Sequence, residues 1–218
     1  MTHRRATARG AALLEFNLAA ILALLPLLLG ILQFALLGSA YHLLGFATAE
    51  AARAGSVGHA RSDAMYSALA AGLVGLHADL GRLGSARAGE AAVELASGRL
   101  KSEAEVRAFG AIERLSPSSG DFQDFARLRD GRNGIPNDSL EYRPSTPGAR
   151  SGHSIQEANW LHIRVRYCHV LVVPFIDRLL PAILKRLDDD AANQRCYAAG
   201  RVPLRVTGSA PMQSEAWP

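Results

Sequence analysis

Residues 8–37 read ARGAALLEFNLAAILALLPLLLGILQFALL, and how this run is taken decides the fold of the whole chain. Between Leu18 and Leu37 the one polar side chain is Gln33. Crossing about 30 Å of hydrocarbon as a helix takes roughly 20 mostly apolar residues, so this segment is long enough to span a bilayer. A buried helix of a soluble domain is the competing explanation, and such helices carry shorter apolar runs. A secretory signal peptide has an apolar stretch of only roughly 7 to 15 residues before its cleavage site. The sequence therefore predicts a persistent membrane anchor.

The flanks orient it. Arg4, Arg5 and Arg9 precede the span with no acidic residue among the first ten, and the first charges beyond it are Glu50 and Arg53. The excess of cations on one side places the amino terminus in the cytoplasm and the rest outside. The net charge of +4, from 24 Lys and Arg against 20 Asp and Glu, falls to +1 once those three arginines are set aside. What remains has no basic stripe interleaved with aromatics, so nucleic acid is not an expected partner.

Glu15 is the anomaly, because a carboxylate at the edge of a span is costly unless it stays among headgroups or meets a cation. One explanation is local: an acid near a helix N-terminus gains about 0.3 to 1 kcal/mol from the macrodipole. The other comes from a resemblance. The run GAALLEFNLAAILALLPLLLGILQFALLGSAYHLLGFATAEAARAGSVGHA, residues 10–60, follows a short basic leader. It is similar to the amino-terminal module of TadE-type pseudopilins of tight-adherence (Flp/Tad) pilus systems. In that module a glycine, small apolar residues, Glu-Phe, a Leu/Pro-rich helix and an Ala-rich tail follow in order. The segment from Leu161 to the carboxy terminus also looks like the distal part of longer proteobacterial members.

The resemblance implies cleavage by a prepilin peptidase between Gly10 and Ala11, with residues 1–10 as a cytoplasmic leader. Glu15 then becomes the fifth mature residue, followed by Phe16, and sets the register between packed helices. The physics agrees: a free ammonium on Ala11 lies one helical turn from that carboxylate, or meets it on a staggered neighbour. A complementary pair recovers much of the cost of burying either charge alone. The implied partners are the prepilin peptidase, TadE-, TadF- or TadG-like minor pilins, the major Flp pilin, the inner-membrane assembly platform and the lipid bilayer. The implied location is the bacterial inner membrane, with a periplasmic head and possible incorporation into the pilus.

Within the span, Pro26 removes a backbone hydrogen bond and predicts a slight bend. Asn17 and Gln33 either bond across helices or stand as solitary amides. Beyond Gly38, YHLLGFATAEAARAG (41–55) puts Tyr41 and His42 at the outer interface and alanines along one face. Taken from Ala11 to Ala54, one helix would be about 66 Å long, twice the membrane thickness, and must project beyond it. Residues 11–58 thus form the anchor and extended helix, and residues 59–218 a periplasmic head.

In the head, Leu69, Leu73, Leu76 and Leu80 keep helical spacing, while glycines at 72, 75, 81, 84 and 89 predict two or three short helices. In KSEAEVRAFGAIERL (101–115), Ser102 and Glu105 match a capping box. Residues 116–158 read as loop, with a short strand at Leu140 to Arg143. In NWLHIRVRYCHVLVV (159–173), Leu161, Ile163, Val165, Tyr167 and Leu171 alternate with polar residues and predict a half-buried strand. Val202, Leu204 and Val206 predict a second. PFIDRLLPAILKRLDDD (174–190) has helical spacing, and Asp188 to Asp190 mark its end. The fold class expected is α+β and pilin-like: a long amino-terminal helix entering a small head of short helices on an antiparallel sheet.

Cys168 and Cys196 both fall outside the membrane, where an oxidising compartment favours a disulfide over two buried thiols. There is no HExxH, Walker A loop, GxSxG, GxGxxG or CxxC. His162 and His169 sit an odd number apart on one strand and point to opposite faces. DGRNGIPND (130–138) lacks the EF-hand spacing. Asn137-Asp138-Ser139 fits a glycosylation sequon with no evident use in that compartment. No cofactor, metal or catalytic residue is expected. The reading is a pilus-assembly subunit without turnover; the alternative is an uncleaved single-pass anchor for a periplasmic adaptor or binding domain, with a hydrolase in residues 60–218 a distant third.

Overall fold

The computed structural model describes residues 8–78, 87–129 and 131–218, excepting the side chains of 8–13 and 88. Leu80, Gly81, Gly84 and Asp130 lie outside those residues. The chain is α+β, with one long apolar helix at its amino terminus and a small antiparallel sheet. It divides into two compact units: residues up to Ser39 with Val170–Val202, and Ala40–His169 with Pro203–Pro218.

Helix α1 (Ala8–Ala19) passes through a π-helical turn, Ala20–Leu24, into α2 (Leu25–Val57). The π turn lies just before Pro26, whose ring would clash with the carbonyl four residues back and which has no N–H to give. Widening the turn, so that the Leu25 N–H reaches the Ala20 carbonyl, absorbs that defect without ending the helix. Among the described residues one helix, Leu14–Val57, is long and apolar enough to cross a membrane, and almost none of its most apolar window is buried.

The first unit also holds α7 (Ile176–Leu187) and α8 (Ala191–Ala198). The acidic run expected to end the first of these builds the corner between them. Asp188 caps α7 and accepts from Tyr197 (2.8 Å) and Asn193 (2.7 Å), while Asp190 caps α8 by accepting from the Ala192 N–H at 2.8 Å. Helix α7 groups with the apolar helix. In the second unit the sheet is flanked by other helices.

Those helices are α3 (Ser62–Gly72) and α4 (Ala88–Phe109), and the sheet has the order β1 (Gly110–Ser116), β4 (Trp160–Val170), β5 (Arg201–Pro211). β1 runs antiparallel to β4 with Ile112 opposite Val165, and the register shifts between Arg114 and Ser116. The predicted alternation in β4 is observed: Leu161, Ile163, Val165 and Tyr167 are buried. Met65, Leu69 and Leu73 of the α3 region, Val106 of α4, and Leu44, Ala47 and Ala51 of α2 are buried in the same unit. Close approach depends on small residues, since a Cβ on Gly72 would lie 2.6 Å from the Ala47 methyl, and one on Gly208 would lie 2.9 Å from Thr48 Cγ2.

Three local expectations fail. Helix α4 runs through Ser102, so Ser102 is no cap; its buried hydroxyl donates to the Ala70 carbonyl at 2.6 Å and ties α4 to α3. The second half of the expected 101–115 helix is strand β1, because β4 offers it a ladder that local propensity cannot foresee. Leu140–Tyr142 is a 3-10 turn, not a strand. The stretch read as loop also contains α5 (Ser119–Phe125), α6 (Ile155–Ala158) and a hairpin of β2 (Arg127–Arg129) with β3 (Arg132–Gly134).

The carboxy terminus locks the end of α2. Ser56 O accepts from the Gln213 and Ser214 N–H groups, and the Trp217 N–H donates to His59 O. The Trp217 and His59 rings stack with centroids 3.7 Å apart, and Arg132 lies over the indole at 4.3 Å.

Candidate functional site

The features expected to carry function begin at the entrance to the apolar helix. Gly10 and Ala11 lie within α1, and Glu15 and Phe16 are exposed on it, one helical turn and slightly more beyond Ala11. Around them Leu14, Leu18, Ile21, Leu22 and Leu25 are exposed on all sides of the helix. Such a surface is stable where lipid or other helices replace water. An exposed carboxylate at its entrance can face headgroups or a cation on an adjacent helix; Asn17 is exposed on the same stretch.

Gln33 behaves otherwise. It is 1% exposed in a run of exposed aliphatics. Its side-chain carbonyl accepts the N–H groups of Val172 (3.1 Å) and Val173 (2.9 Å). Two facing donors fix the amide orientation, and Nε2 is left without an acceptor among the described residues. Gln33 is thus an intramolecular clasp, the solitary polar residue of the run satisfying backbone groups of the segment leading to α7. The sequence signal was the lone amide; its partner is 139 residues away.

In the head, Asp121 is fully buried at a capping box that starts α5. One carboxylate oxygen accepts from the Ser118 N–H and hydroxyl, both at 2.7 Å, and the other faces His153 Nδ1 at 3.1 Å. Burial pushes its pKa up, but the bonds from Ser118 and His153 outweigh burial and hold it below the usual carboxylate value. Asp124 accepts from the Ser151 N–H (2.8 Å) and hydroxyl, and from the Arg150 N–H, and Glu157 accepts from the Ser154 N–H (2.7 Å) and hydroxyl. Backbone donors lead the causes that lower both pKa values. These three carboxylates staple residues 116–158 into defined structure. The signals, Ser118-x-x-Asp121 and Ser154-x-x-Glu157, were legible but submerged in Pro, Gly and Ser.

His153 also borders an open cavity of about 430 Å³ with Leu115, Ser116, His162, Thr207 and Ser209. An Asp–His pair beside hydroxyls is the orienting half of a hydrolytic site. Here the ring faces Asp121 and the His153 N–H donates to the Ser151 hydroxyl at 3.3 Å, which ties this loop to the start of α5. No group of three or more His, Cys, Asp or Glu among the described residues could hold a metal ion. Cys168 and Cys196 are disulfide-bonded, as the compartment argument favoured. Comparisons with protein-family models, curated proteins and solved structures found no match.

Proposed function

We propose that this chain is a pseudopilin-like assembly subunit of a Tad (Flp) type IV pilus system. In this reading a prepilin peptidase cuts after Gly10, and the helix beginning at Ala11 anchors the protein in the inner membrane with its head in the periplasm. Its function is to insert and to pack beside minor pilins and the Flp pilin at the assembly platform, without turnover.

The observation that carries the reading is a helix of two characters with Glu15 and Phe16 at its entrance. Its first part is apolar and exposed, and its second part, Ala40, Leu44, Ala47, Thr48, Ala51 and Ala52, is buried in the head. A subunit that assembles through its amino terminus needs both parts: a bare helix to share, and a head that the same helix continues into. Glu15 supplies what an aliphatic helix lacks, a charge whose burial is tolerable in one register only, opposite the ammonium of a neighbour.

The test is the intact mass and N-terminal sequence of membrane-extracted protein from cells with and without the peptidase. A chain starting at Ala11 only when the peptidase is present is the expected result, together with loss of assembly for Glu15→Ala at unchanged protein level. A chain starting at Met1 in both strains would overturn the reading and favour an uncleaved anchor for a periplasmic adaptor.

A further inference from the structure

We infer that helix α7 is a second membrane contact, lying in the outer headgroup plane with its exposed apolar face in the lipid. The inference rests on the membrane-spanning reading of the amino-terminal helix and is independent of the pilin reading.

The first observation is the face itself. Leu179, Ile183 and Leu187 recur at intervals of four along α7 and are all exposed, as are Phe175 (78% exposed) at its start and Val172 just before. Bulky side chains in one row on a single helix are the signature of a surface that another apolar medium covers. Arg178 and Lys185, seven residues apart and exposed, lie about 100 to 160° round the helix from Leu179 and Ile183, while Arg186 projects within the arc, between Phe175 and Leu179. The helix carries these three cations against Asp177 alone. An exposed apolar arc bordered by long cationic side chains is the composition of helices that lie in a headgroup plane.

The second observation says which medium. Gln33 holds the Val172 and Val173 N–H groups, and α7 begins only three residues later. Gln33 lies four residues before Leu37, the last residue of the apolar run, an axial distance of about 6 Å at 1.5 Å per residue. The clasp therefore holds the start of α7 beside the outer end of the span, within reach of the headgroups. The same unit also exposes Leu28, Ile31, Leu32 and Phe34 of the long helix. Lys185 and Arg186 in the last turn are long enough to reach lipid phosphates while their stems stay apolar.

The experiment uses the full chain in vesicles of phosphatidylcholine with phosphatidylglycerol. An environment-sensitive fluorophore is attached to a single introduced cysteine, the native pair being oxidised and unreactive. The variants are Leu179→Cys, Ile183→Cys, Lys185→Cys and, deep in the span, Leu27→Cys. Lipids brominated near the glycerol end of the acyl chain serve as shallow quenchers, and lipids brominated near the chain end as deep ones. The expected result is blue-shifted emission, with strong loss to the shallow quencher, at Leu179 and Ile183, loss to the deep quencher at Leu27, and neither at Lys185. Water-like emission at Leu179 and Ile183 with Leu27 still quenched would overturn the inference and leave the span intact. Blue-shifted but unquenched emission at both would overturn it in favour of a protein partner, such as a second copy. An unquenched Leu27 would remove the spanning reading itself, and this inference with it.

Discussion

Leu27 and Leu44 are the same residue on the same helix, yet Leu27 is 59% exposed and Leu44 is fully buried. Around Leu27 the neighbours are large aliphatics pointing in every direction; around Leu44 they are Ala40, Ala47, Thr48, Ala51 and Ala52. The first region is long and apolar enough to cross a membrane and buries almost none of its surface within the chain. The second needs a chosen partner surface, and side-chain size decides whether α3, β4 and β5 can approach. Apolarity alone therefore says little about where a residue of this helix goes; volume and periodicity say more.

The largest expected difference is between truncations at these two positions. Leu44→Ala should lower head stability by about 2 to 5 kcal/mol, the range for a buried leucine, whereas Leu27→Ala should leave it unchanged. Denaturant unfolding in detergent, followed by fluorescence of Trp160 and Trp217, measures both. Equal effects would erase the distinction between the two parts of the helix.

Removing the disulfide with Cys168→Ser and Cys196→Ser together should cost about 3 to 4 kcal/mol, from the loop the bond closes in the unfolded chain. Melting with and without reductant reads it. The Gln33 clasp comes next: Gln33→Leu orphans two N–H groups at about 1 to 3 kcal/mol for each that stays buried. Its specific signature is faster amide exchange at Val172 and Val173, with the amides of β4 unaffected.

A pH titration sharpens the contrast from the other side. Asp121, Asp124 and Glu157 all have pKa values lowered in the folded head. Their contribution is fully present above the unfolded carboxylate values near about 4 and is lost as the pH falls through the lower folded values. The melting temperature of the head should therefore drop below about pH 4, less steeply in Asp121→Asn, and a Tm flat down to about pH 3 would refute the stapling role. The smallest effect expected is that of Glu103→Ala, which breaks the half-exposed Arg99–Glu103 pair (3.0 Å) and should change stability by no more than about 0.5 kcal/mol.

Much of this was legible because it depends on short-range pattern. The apolar run, the alternation of Leu161, Ile163, Val165 and Tyr167, the helix after Phe175 and its stop at the aspartates all follow from periods of two or 3.6 residues and from charge at helix ends. The capping boxes at Ser118 and Ser154 were equally local and were outweighed by the loop-like composition around them. Ser102 shows the opposite failure: a correct motif in a place where packing against Ala70 continued the helix.

The sequence by itself determined that one long helix is apolar over the length of a membrane span and that a small α+β head follows, since each depends on residues near one another in the chain. The tertiary structure alone decided that Gly110–Ser116 is a strand, that Gln33 holds Val172 and Val173, that Trp217 stacks on His59, and that α7 groups with the apolar helix. Each of these joins groups far apart in sequence, where a donor, an edge or a ring has no local sign of the partner that will satisfy it.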